Sequence, residues 1–481
     1  MFYWNTRKTW FRLQGAERDS CPCQNFSDSG LARDSRCNAI IYWQRPARFR
    51  RVCPLLVETP DGWRCGVDAE RVRPFWGRAA LYSVGTLVAV YLAGTVLAFA
   101  TLRLARYDIA YPALLWPERW GEVRGSQERL YASRAQQAMA ARNYQEAILS
   151  LEMVCTLNPH NYTAGLALAN LCQVAGNPLV AEHIYERLMK AMPEHRVQTA
   201  QIWFRTLLAR SAHDKIKPLA AAMLAEDPGQ RSAWLNALLF AARETADSQF
   251  LSSVLESKGH LPEWCVELII IERDLLQNRT GDVLPRLMRV RLQPESAYVP
   301  YYQVDRLLLL GRADDALNLL NTYGARLPPD EASFLHLRLY RALGWSSLLE
   351  AEHESLLQYP MAPRLAAQFC AYLIASPDPG LLARYFDKFL REEPPLSAET
   401  LPLYQATYLA AALAGDTGRA EKIATRIMQF TGSDARVIRG LLELLQAGQP
   451  DARLARILPL VPLPTEVVYA INERCSAAAK K

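Results

Sequence analysis

The chain has 481 residues, with 55 lysines and arginines against 49 aspartates and glutamates, so its formal net charge is +6. That length exceeds the roughly 100–200 residues of one domain and predicts a chain of two or three parts. Residues 1–78 alone carry 14 basic and 8 acidic side chains, so the whole positive excess lies there. Because the remainder is neutral, we expect no nucleic-acid groove on the larger part of the chain.

Residues 79–102 are the most apolar stretch, since 24 consecutive positions carry no charged side chain. As an α-helix this stretch would be about 36 Å long, enough to cross a hydrocarbon core of about 30 Å. Arg78 and Arg103 mark its two ends. A core helix of a soluble protein is usually shorter and has a polar stripe, and a signal peptide begins nearer the N-terminus. The sequence therefore predicts one transmembrane helix.

Arginines are more frequent before this helix than after it, and basic residues concentrate on the cytoplasmic side of membrane proteins. We therefore expect a single-pass protein of a bacterial inner membrane, with a cytoplasmic N-terminus and the larger part on the opposite side. Trp116 and Trp120 follow the helix and are expected either at the membrane interface or against the next helix. The flanking arginines are Arg45, Arg48, Arg50, Arg51, Arg64, Arg71, Arg73 and Arg78 before the helix and Arg103, Arg106 and Arg119 after it.

Half of the ten cysteines lie in residues 1–78, where prolines and glycines interrupt any long periodic pattern. Four of these thiolates could hold a structural zinc ion, which would stabilise a part too small to have a large core. Disulfides are the alternative if this part lies outside the cell, and ordinary reduced thiols are a third. The spacing lacks the paired Cys-x-x-Cys motifs of a zinc ribbon, so all three stay open. The cysteines are Cys21, Cys23, Cys37, Cys53 and Cys65.

Residues 126–450 consist of amphipathic segments of about 12–15 residues with the period of an α-helix, separated by short turns. Prolines that end successive pairs of segments recur at intervals of 32 to 35 residues, with one interval of 66. The interval of 66 corresponds to two units. These prolines are Pro159, Pro193, Pro228, Pro294, Pro328, Pro360 and Pro394.

A period near 34 with two helices per unit resembles the tetratricopeptide repeat (TPR). The first unit shows the pattern in Tyr144, Ala147, Leu151, Val154 and Pro159, and the next shows it in Ala181, Tyr185, Leu188 and Pro193. Further copies begin at Gly311 and Gly418. The repeats are divergent, because alanine replaces the usual glycine of the first helix and the copies between 230 and 290 are weak.

The resemblance implies an all-α fold, namely an α-solenoid of TPR-like helical hairpins, and it implies binding of other proteins or peptides on the concave face formed by the first helices. In this sequence the residues expected on that face are Arg129, Gln136, Asn170, Gln173, Gln201 and Arg205. A second, more aromatic candidate surface consists of Tyr298, Tyr301 and Asp305. An ordinary solvated face is the alternative for both sets.

No catalytic motif accompanies these features, since the seven histidines are scattered and no metal-binding pair or phosphate loop is present. The predicted organisation is a head at 1–78, a transmembrane helix at 79–102, a linker at 103–125, the array at 126–450, and a C-terminal cap and tail at 451–481. The predicted function is a membrane-anchored, non-enzymatic scaffold that recruits partners for an envelope or membrane assembly. The alternative is a metal-binding or redox component with its chemistry in the head.

Overall fold

The computed structural model describes residues 56–60, 62–65, 73–257, 261–279, 281–290, 298–392, 395–432, 436–446 and 453–479. It consists of two compact units, Met1–Leu130 and Tyr131–Lys481. Four of the five cysteines of the predicted head, all except Cys65, lie outside the described residues.

The first unit begins with an antiparallel hairpin of β1 (Leu56–Thr59) and β2 (Gly62–Cys65). In its register Thr59 pairs with Gly62 at the turn and Leu56 pairs with Cys65 at the open end. The sequence Thr59-Pro60-Asp61-Gly62 favours this turn, because proline and glycine supply the backbone angles that a tight turn requires. Cys65 therefore ends the second strand.

The long helix α1 (Arg73–Leu104) contains the apolar stretch. Its segment Ala80–Leu104 has 25 residues and a mean hydropathy of 1.9, which makes it long and apolar enough to cross a membrane. Nearly all side chains of this segment are exposed. Exposure of this much apolar surface to water is energetically unfavourable.

After α1 the chain folds back along the same helix through α2 (Tyr111–Leu115). The Tyr91 hydroxyl donates to the Leu115 carbonyl oxygen at 2.7 Å, and the hydroxyl groups of Thr95 and Tyr111 lie 3.1 Å apart. The rings of Phe99 and Tyr111 pack edge to face at 5.6 Å. These contacts attach the segment after the apolar helix to one side of its C-terminal half.

The helix α3 (Gly121–Ala140) leads into the second unit. The helices that follow pair in sequence order, a first and a second helix to each hairpin. The first helices are α5 (Tyr162–Val174), α7 (Arg196–Ala209), α9 (Arg231–Glu244), α11 (Glu263–Leu276), α13 (Tyr298–Leu309), α15 (Pro329–Leu343), α17 (Pro363–Ala375), α19 (Leu401–Leu413) and α21 (Arg436–Gln446).

The second helices are α4 (Tyr144–Leu157, which follows α3), α6 (Pro178–Ala191), α8 (His213–Glu226), α10 (Ser248–Glu256), α12 (Val283–Arg289), α14 (Ala313–Tyr323), α16 (Ser346–Gln358), α18 (Pro379–Arg391), α20 (Thr417–Thr431) and α22 (Leu454–Ile457). From α5 onward, successive first helices begin 31 to 38 residues apart. The predicted all-α solenoid of TPR-like hairpins is confirmed. The hairpins at 231–289 are also present, and their second helices α10 and α12 have only nine and seven residues, which explains the weak sequence pattern there.

Most turns inside the hairpins contain one residue with a positive φ angle. This left-handed conformation lets the chain reverse after the first helix, and glycine adopts it with the least strain. Among the described turns, glycine occupies this positive-φ position in four hairpins, and residues other than glycine occupy it in four more. The residues are Arg142, Gly176, Ser211, Ala246, Asn278, Gly311, Gly344 and Gly415.

One continuous core runs through the hairpins of the second unit. Ala147, Ala181 and Ile216, which align in successive second helices, are completely buried, as the small-residue position of the repeat requires. The larger side chains of Tyr185 and Tyr385 are also completely buried between hairpins. Because each hairpin covers the apolar face of its neighbour, the array is stable only as a stack.

The C-terminal segment returns from the last described hairpin to the early ones. Its helix α22 packs against α21, and the 3₁₀ turn Leu458–Leu460 that follows directly contacts α5 and α7. Leu454 and Leu458, one in each element, are buried. A single short segment therefore connects the late part of the array to its early part. The final helix α23 (Thr465–Ala479) follows.

Candidate functional site

The C-terminal helix α23 lies against first helices of the array, chiefly α17 and also α7. We call the surface formed by the first helices the inner face. Asn472 fixes α23 there, because its amide nitrogen donates to the Leu208 carbonyl oxygen at 3.0 Å and its amide oxygen accepts from the Ser211 hydroxyl at 3.0 Å. Arg474 donates to the Ile374 carbonyl oxygen at 2.9 Å. The helix thus connects hairpins that are far apart in the sequence.

Apolar packing supports this position of α23. Val467 and Ile471 are completely buried, and they lie one helical turn apart on the same side of the helix. The Tyr469 ring packs edge to face on Phe240 of α9 at 4.9 Å and lies 6.4 Å from Phe204 of α7. Burial of these side chains accounts for most of the attachment, since each buried large apolar side chain contributes about 1.5–3 kcal/mol.

Two polar side chains of α23, Ser476 and Glu473, lie near charged side chains of the inner face. The Ser476 hydroxyl donates to the Glu244 carboxylate. Burial raises the pKa of the Glu473 carboxyl, and the nearby Arg338 guanidinium opposes that rise. Glu473 is therefore easier to protonate than an ordinary glutamate.

Beside the first turn of α23 the inner face keeps an open cleft of about 420 Å³. Gln201, Phe204 and Arg205 of α7 form one part of its wall. The remaining wall residues come from the start of α9 and from the first turn of α23: Gln230, Ala233, Trp234, Asn236, Thr465, Glu466 and Tyr469. A cleft of this size accommodates a short peptide segment or a small molecule, not a folded domain.

Several polar side chains of this cleft have no hydrogen-bond or ion-pair partner among the described residues. Arg205 and Glu466 are exposed and form no ion pair with each other or with another residue there. The side chains of Gln230 and Asn236 are likewise without a protein partner in that part of the chain. Gln201 makes only a long contact of 3.5 Å with Asp227, which also accepts from the Trp234 indole at 3.0 Å. The cleft therefore offers free donors and acceptors above an aromatic floor.

Of the six residues predicted on the concave face, the structure brings Gln201 and Arg205 together in this cleft. Gln136 is exposed on α3, and Asn170 is exposed on α5, where it accepts from the Tyr185 hydroxyl at 2.7 Å. Gln173 is half-buried near the end of α5. Arg129 is exposed on the part of α3 that belongs to the first unit.

The second predicted surface lies on α13 and consists of half-buried side chains. Asp305 accepts from Arg338 at 3.1 Å and also pairs with Arg306, while the Tyr301 ring lies 5.0 Å from the Arg338 guanidinium. Burial alone would raise the pKa of the Asp305 carboxyl, but Arg306, Arg338 and Arg243 together hold it below its ordinary value. Because its charge is already paired, Asp305 is less available to a partner than Arg205 is.

Tyr298 lies at the start of the same helix, close to the C-terminal helix. Burial raises the pKa of its hydroxyl, with smaller effects from Arg243 and Glu272. Next to it, Tyr302 donates to Glu272 at 2.7 Å. Tyr298 and its neighbours thus belong to a polar cluster between hairpins.

In the described part of the chain, no group of three or more histidine, cysteine, aspartate or glutamate side chains has the arrangement of a metal site. The cysteines of the repeat array and the C-terminal helix are Cys155, Cys172, Cys265, Cys370 and Cys475, all with free thiols, and burial raises their pKa values. Such thiols are poor nucleophiles and metal ligands at neutral pH. The predicted zinc ligands Cys21, Cys23, Cys37 and Cys53 lie outside the described residues, and the zinc site stays a prediction.

Sequence reasoning found only two of the ten residues that line the cleft, Gln201 and Arg205. Asn236 lies one repeat after Gln201, and Gln230 lies just before the same helix α9, in the region where the sequence pattern of the repeat is weak. Glu466 and Tyr469 lie in the segment predicted to be a cap. The signal that could have found them is the apolar pattern of Val467, Ala470 and Ile471, which predicts a helix with a buried face.

The paired helices, their period and the inner face define a TPR-like helical-repeat protein. No protein-family model and no curated protein matches the chain. Among solved structures, the crystal structure of the TPR domain of P58(IPK) is similar, with 14% identity and a TM-score of 0.21 over 73% of this chain and 97% of that chain. At that TM-score the similarity carries no argument about function, and the assignment of the fold class depends on the hairpins themselves.

Proposed function

We propose that this protein is a membrane-anchored scaffold that recruits partner proteins through the inner face of its repeat array, for an envelope or membrane assembly. The main support for this proposal is the cleft. There Arg205 of α7 and Asn236 of α9 lie close to each other, and neither side chain has a hydrogen-bond or ion-pair partner among the described residues. Such side chains can form hydrogen bonds with the backbone of a bound peptide. The mechanism is binding, with no catalytic step.

The apolar helix α1 supports the membrane anchor. With 32 residues α1 is about 48 Å long, so it exceeds a hydrocarbon core of about 30 Å and part of it must extend beyond the core. Trp116 and Trp120 follow the fold-back along α1 and are 60% and 54% exposed. Exposed tryptophans beside an apolar helix are typical of the membrane interface. A single-pass anchor in a bacterial inner membrane, with the N-terminus cytoplasmic, is part of the proposal.

The test is affinity purification of the full chain from membranes, comparing wild type with the double variant Gln201→Ala/Arg205→Ala. We expect the variant to lose partners while its melting temperature stays unchanged, because neither side chain belongs to the core. The matched control is Lys422→Ala/Gln429→Ala, which removes one cation and one amide from exposed positions of the second helix α20. If both variants recovered the wild-type set of partners, the inner-face cleft would not be the recruiting surface.

The second candidate function, a metal-binding or redox role of the head, is favoured by the β1–β2 register. Cys65 pairs with Leu56 at the open end of the hairpin, and Cys53 precedes Leu56 by only three residues. Metal analysis of the full chain, purified under reducing conditions, tests this role. About one zinc per chain in the wild type, lost in Cys53→Ser/Cys65→Ser but kept in Cys155→Ser/Cys172→Ser, would support it. A wild type without metal would refute the zinc site.

A further inference from the structure

We propose that the cleft beside the first turn of α23 binds an extended peptide segment in which an acidic and a basic side chain flank an apolar one. The proposal rests on the proposed function, because it names the class of partner that the same cleft accepts. It is carried by three observations: the covering of the neighbouring part of the inner face by α23, the aromatic floor, and the two unpaired charges.

The C-terminal helix determines how much of a partner can enter. Along α7, α9 and α17 the inner face is covered by α23, whose Val467, Ile471 and Asn472 are buried against it. A partner helix lying along these first helices would have to replace these contacts. An open volume of about 420 Å³ remains beside Thr465 and Glu466, at the start of α23. The occupant that fits is therefore a short stretch of extended chain.

The floor of the cleft is aromatic. The Phe204 ring lies 5.5 Å from the Trp234 ring and 6.4 Å from the Tyr469 ring, so three aromatic side chains surround one apolar place. Trp234 is buried, and its indole N–H is already bonded to Asp227, which fixes the ring. An apolar side chain of a bound peptide would lose its contact with water here and gain aromatic contacts.

Each side of the cleft carries one charge of opposite sign. Arg205 comes from α7 and Glu466 from α23, and the two are too far apart to form an ion pair. Neither has another ionic partner among the described residues. A segment that carries a carboxylate and an ammonium or guanidinium group at suitable spacing would satisfy both charges. Gln230 and Asn236, from the start of α9, also line the cleft, and their side-chain amides can form hydrogen bonds with the peptide backbone.

The inference is tested by selecting short random peptides, displayed on phage, on the detergent-solubilised full chain. We expect enriched peptides to share an acidic, an apolar and a basic residue. Reversing one charge should change one position only: Arg205→Glu should select a basic residue in place of the acidic one, and Glu466→Arg should select an acidic residue in place of the basic one. Binding of the original peptides to either variant should weaken about tenfold.

The control Lys422→Glu reverses a charge on α20, away from the cleft, and should leave the selected pattern unchanged. Enriched peptides without the charge pattern, or a pattern that neither reversal alters, would overturn the inference. A preference that depends on Arg205 but not on Glu466 would also overturn it, in favour of a chain-terminal carboxylate. The proposed function has its own test, since Gln201→Ala/Arg205→Ala can abolish recruitment of cellular partners whichever peptides are selected.

Discussion

At the scale of single residues, the turns within the hairpins contain avoidable strain. Ala246 has a φ angle of +50° between α9 and α10, where other hairpins have glycine. The backbone N–H groups that follow the first helix bond back to it there, with Asp247 donating to the Ala242 carbonyl oxygen at 3.0 Å. Residue 246 must therefore adopt the left-handed backbone conformation, whichever side chain it carries.

Replacing Ala246 by glycine should stabilise the protein. A left-handed conformation costs a residue with a Cβ atom about 1–2 kcal/mol, while glycine loses up to about 1 kcal/mol more entropy on folding, so we expect a net gain of up to about 1 kcal/mol. Thermal unfolding of the purified chain measures it. The control Ala222→Gly, at an exposed position inside α8, should have the opposite sign and cost about 0.5–1 kcal/mol. A loss of stability in Ala246→Gly would contradict the strain argument.

An ion pair between neighbouring hairpins gives a second residue-scale prediction. The Lys217 ammonium, with a side chain only 6% exposed, lies 2.5 Å from the Asp247 carboxylate. The hydrogen bond from Lys217, together with that from the Phe250 backbone N–H, holds the pKa of Asp247 below its ordinary value. A carboxyl whose pKa is lowered by folding stabilises the native state at pH values above its unfolded pKa, and this contribution is lost as the pH falls through the folded pKa.

We therefore expect Asp247→Asn to lose about 1–3 kcal/mol at pH 7, because the ammonium of Lys217 loses its closest acceptor. The difference from wild type should begin to shrink below about pH 4 and should disappear as the pH falls through the lowered folded-state pKa of Asp247, where the wild-type carboxyl also becomes neutral. Unfolding by urea at several pH values measures both effects. The control Asp214→Asn removes a carboxylate that is 3.1 Å from the same ammonium but 85% exposed, and it should change stability little. A difference independent of pH would refute the assignment.

At the scale of elements, α23 stabilises the array by connecting repeats that are distant in the sequence. It bonds to Leu208 near the end of α7 and to Ser211 just after that helix, to Glu244 at the end of α9 and to Ile374 near the end of α17. These contacts join residues 100 to 264 positions apart in the chain. In a solenoid most contacts are between neighbouring repeats, so a helix that connects distant repeats should make the unfolding of the array more cooperative.

Truncating a buried side chain of α23 tests this role. Ile471→Ala should cost about 2–5 kcal/mol, since the side chain is completely buried and leaves a cavity. Hydrogen exchange should show that amides in α7 and α17 lose protection together, although neither helix is changed. Glu466→Ala, on the exposed first turn of the same helix, is the control and should leave exchange in both helices unchanged. Loss of protection confined to α23 would mean that α23 does not stabilise α7 and α17.

At the scale of the whole molecule, the arginine excess before α1 predicts that residues 1–78 are cytoplasmic and that the array is on the opposite side of the membrane. A reporter that is active only after export, fused after Lys481, should be active, and the same reporter fused at the N-terminus should be inactive. A reporter that is active only in the cytoplasm should give the reverse result. Activity of the cytoplasmic reporter after Lys481 would overturn the orientation, and with it the reducing environment that the zinc hypothesis requires.

By itself the sequence determined the features that depend on local patterns. The uncharged run at 79–102 predicted a long apolar helix, because no charged group interrupts it. The recurring prolines predicted hairpins with a period near 34, because proline removes a backbone hydrogen bond inside a helix and is therefore most common near helix ends. The hairpins at 231–289 were weaker in the sequence, since short second helices and non-glycine residues such as Ala246 and Asn278 conceal the repeat.

Only the tertiary structure decided what lies on the inner face. Val467 and Ile471 could have covered the end of the last repeat, as the prediction of a C-terminal cap assumed, because an apolar helix does not encode which surface buries it. The return of the chain through Leu454–Leu460 instead brings α23 against helices whose contacting residues lie 100 to 264 positions earlier. That position leaves Arg205 and Glu466 facing one cleft. The sequence does not show that these two residues lie close together. Their proximity depends on the number of repeats in the array between α7 and the point at which the chain returns.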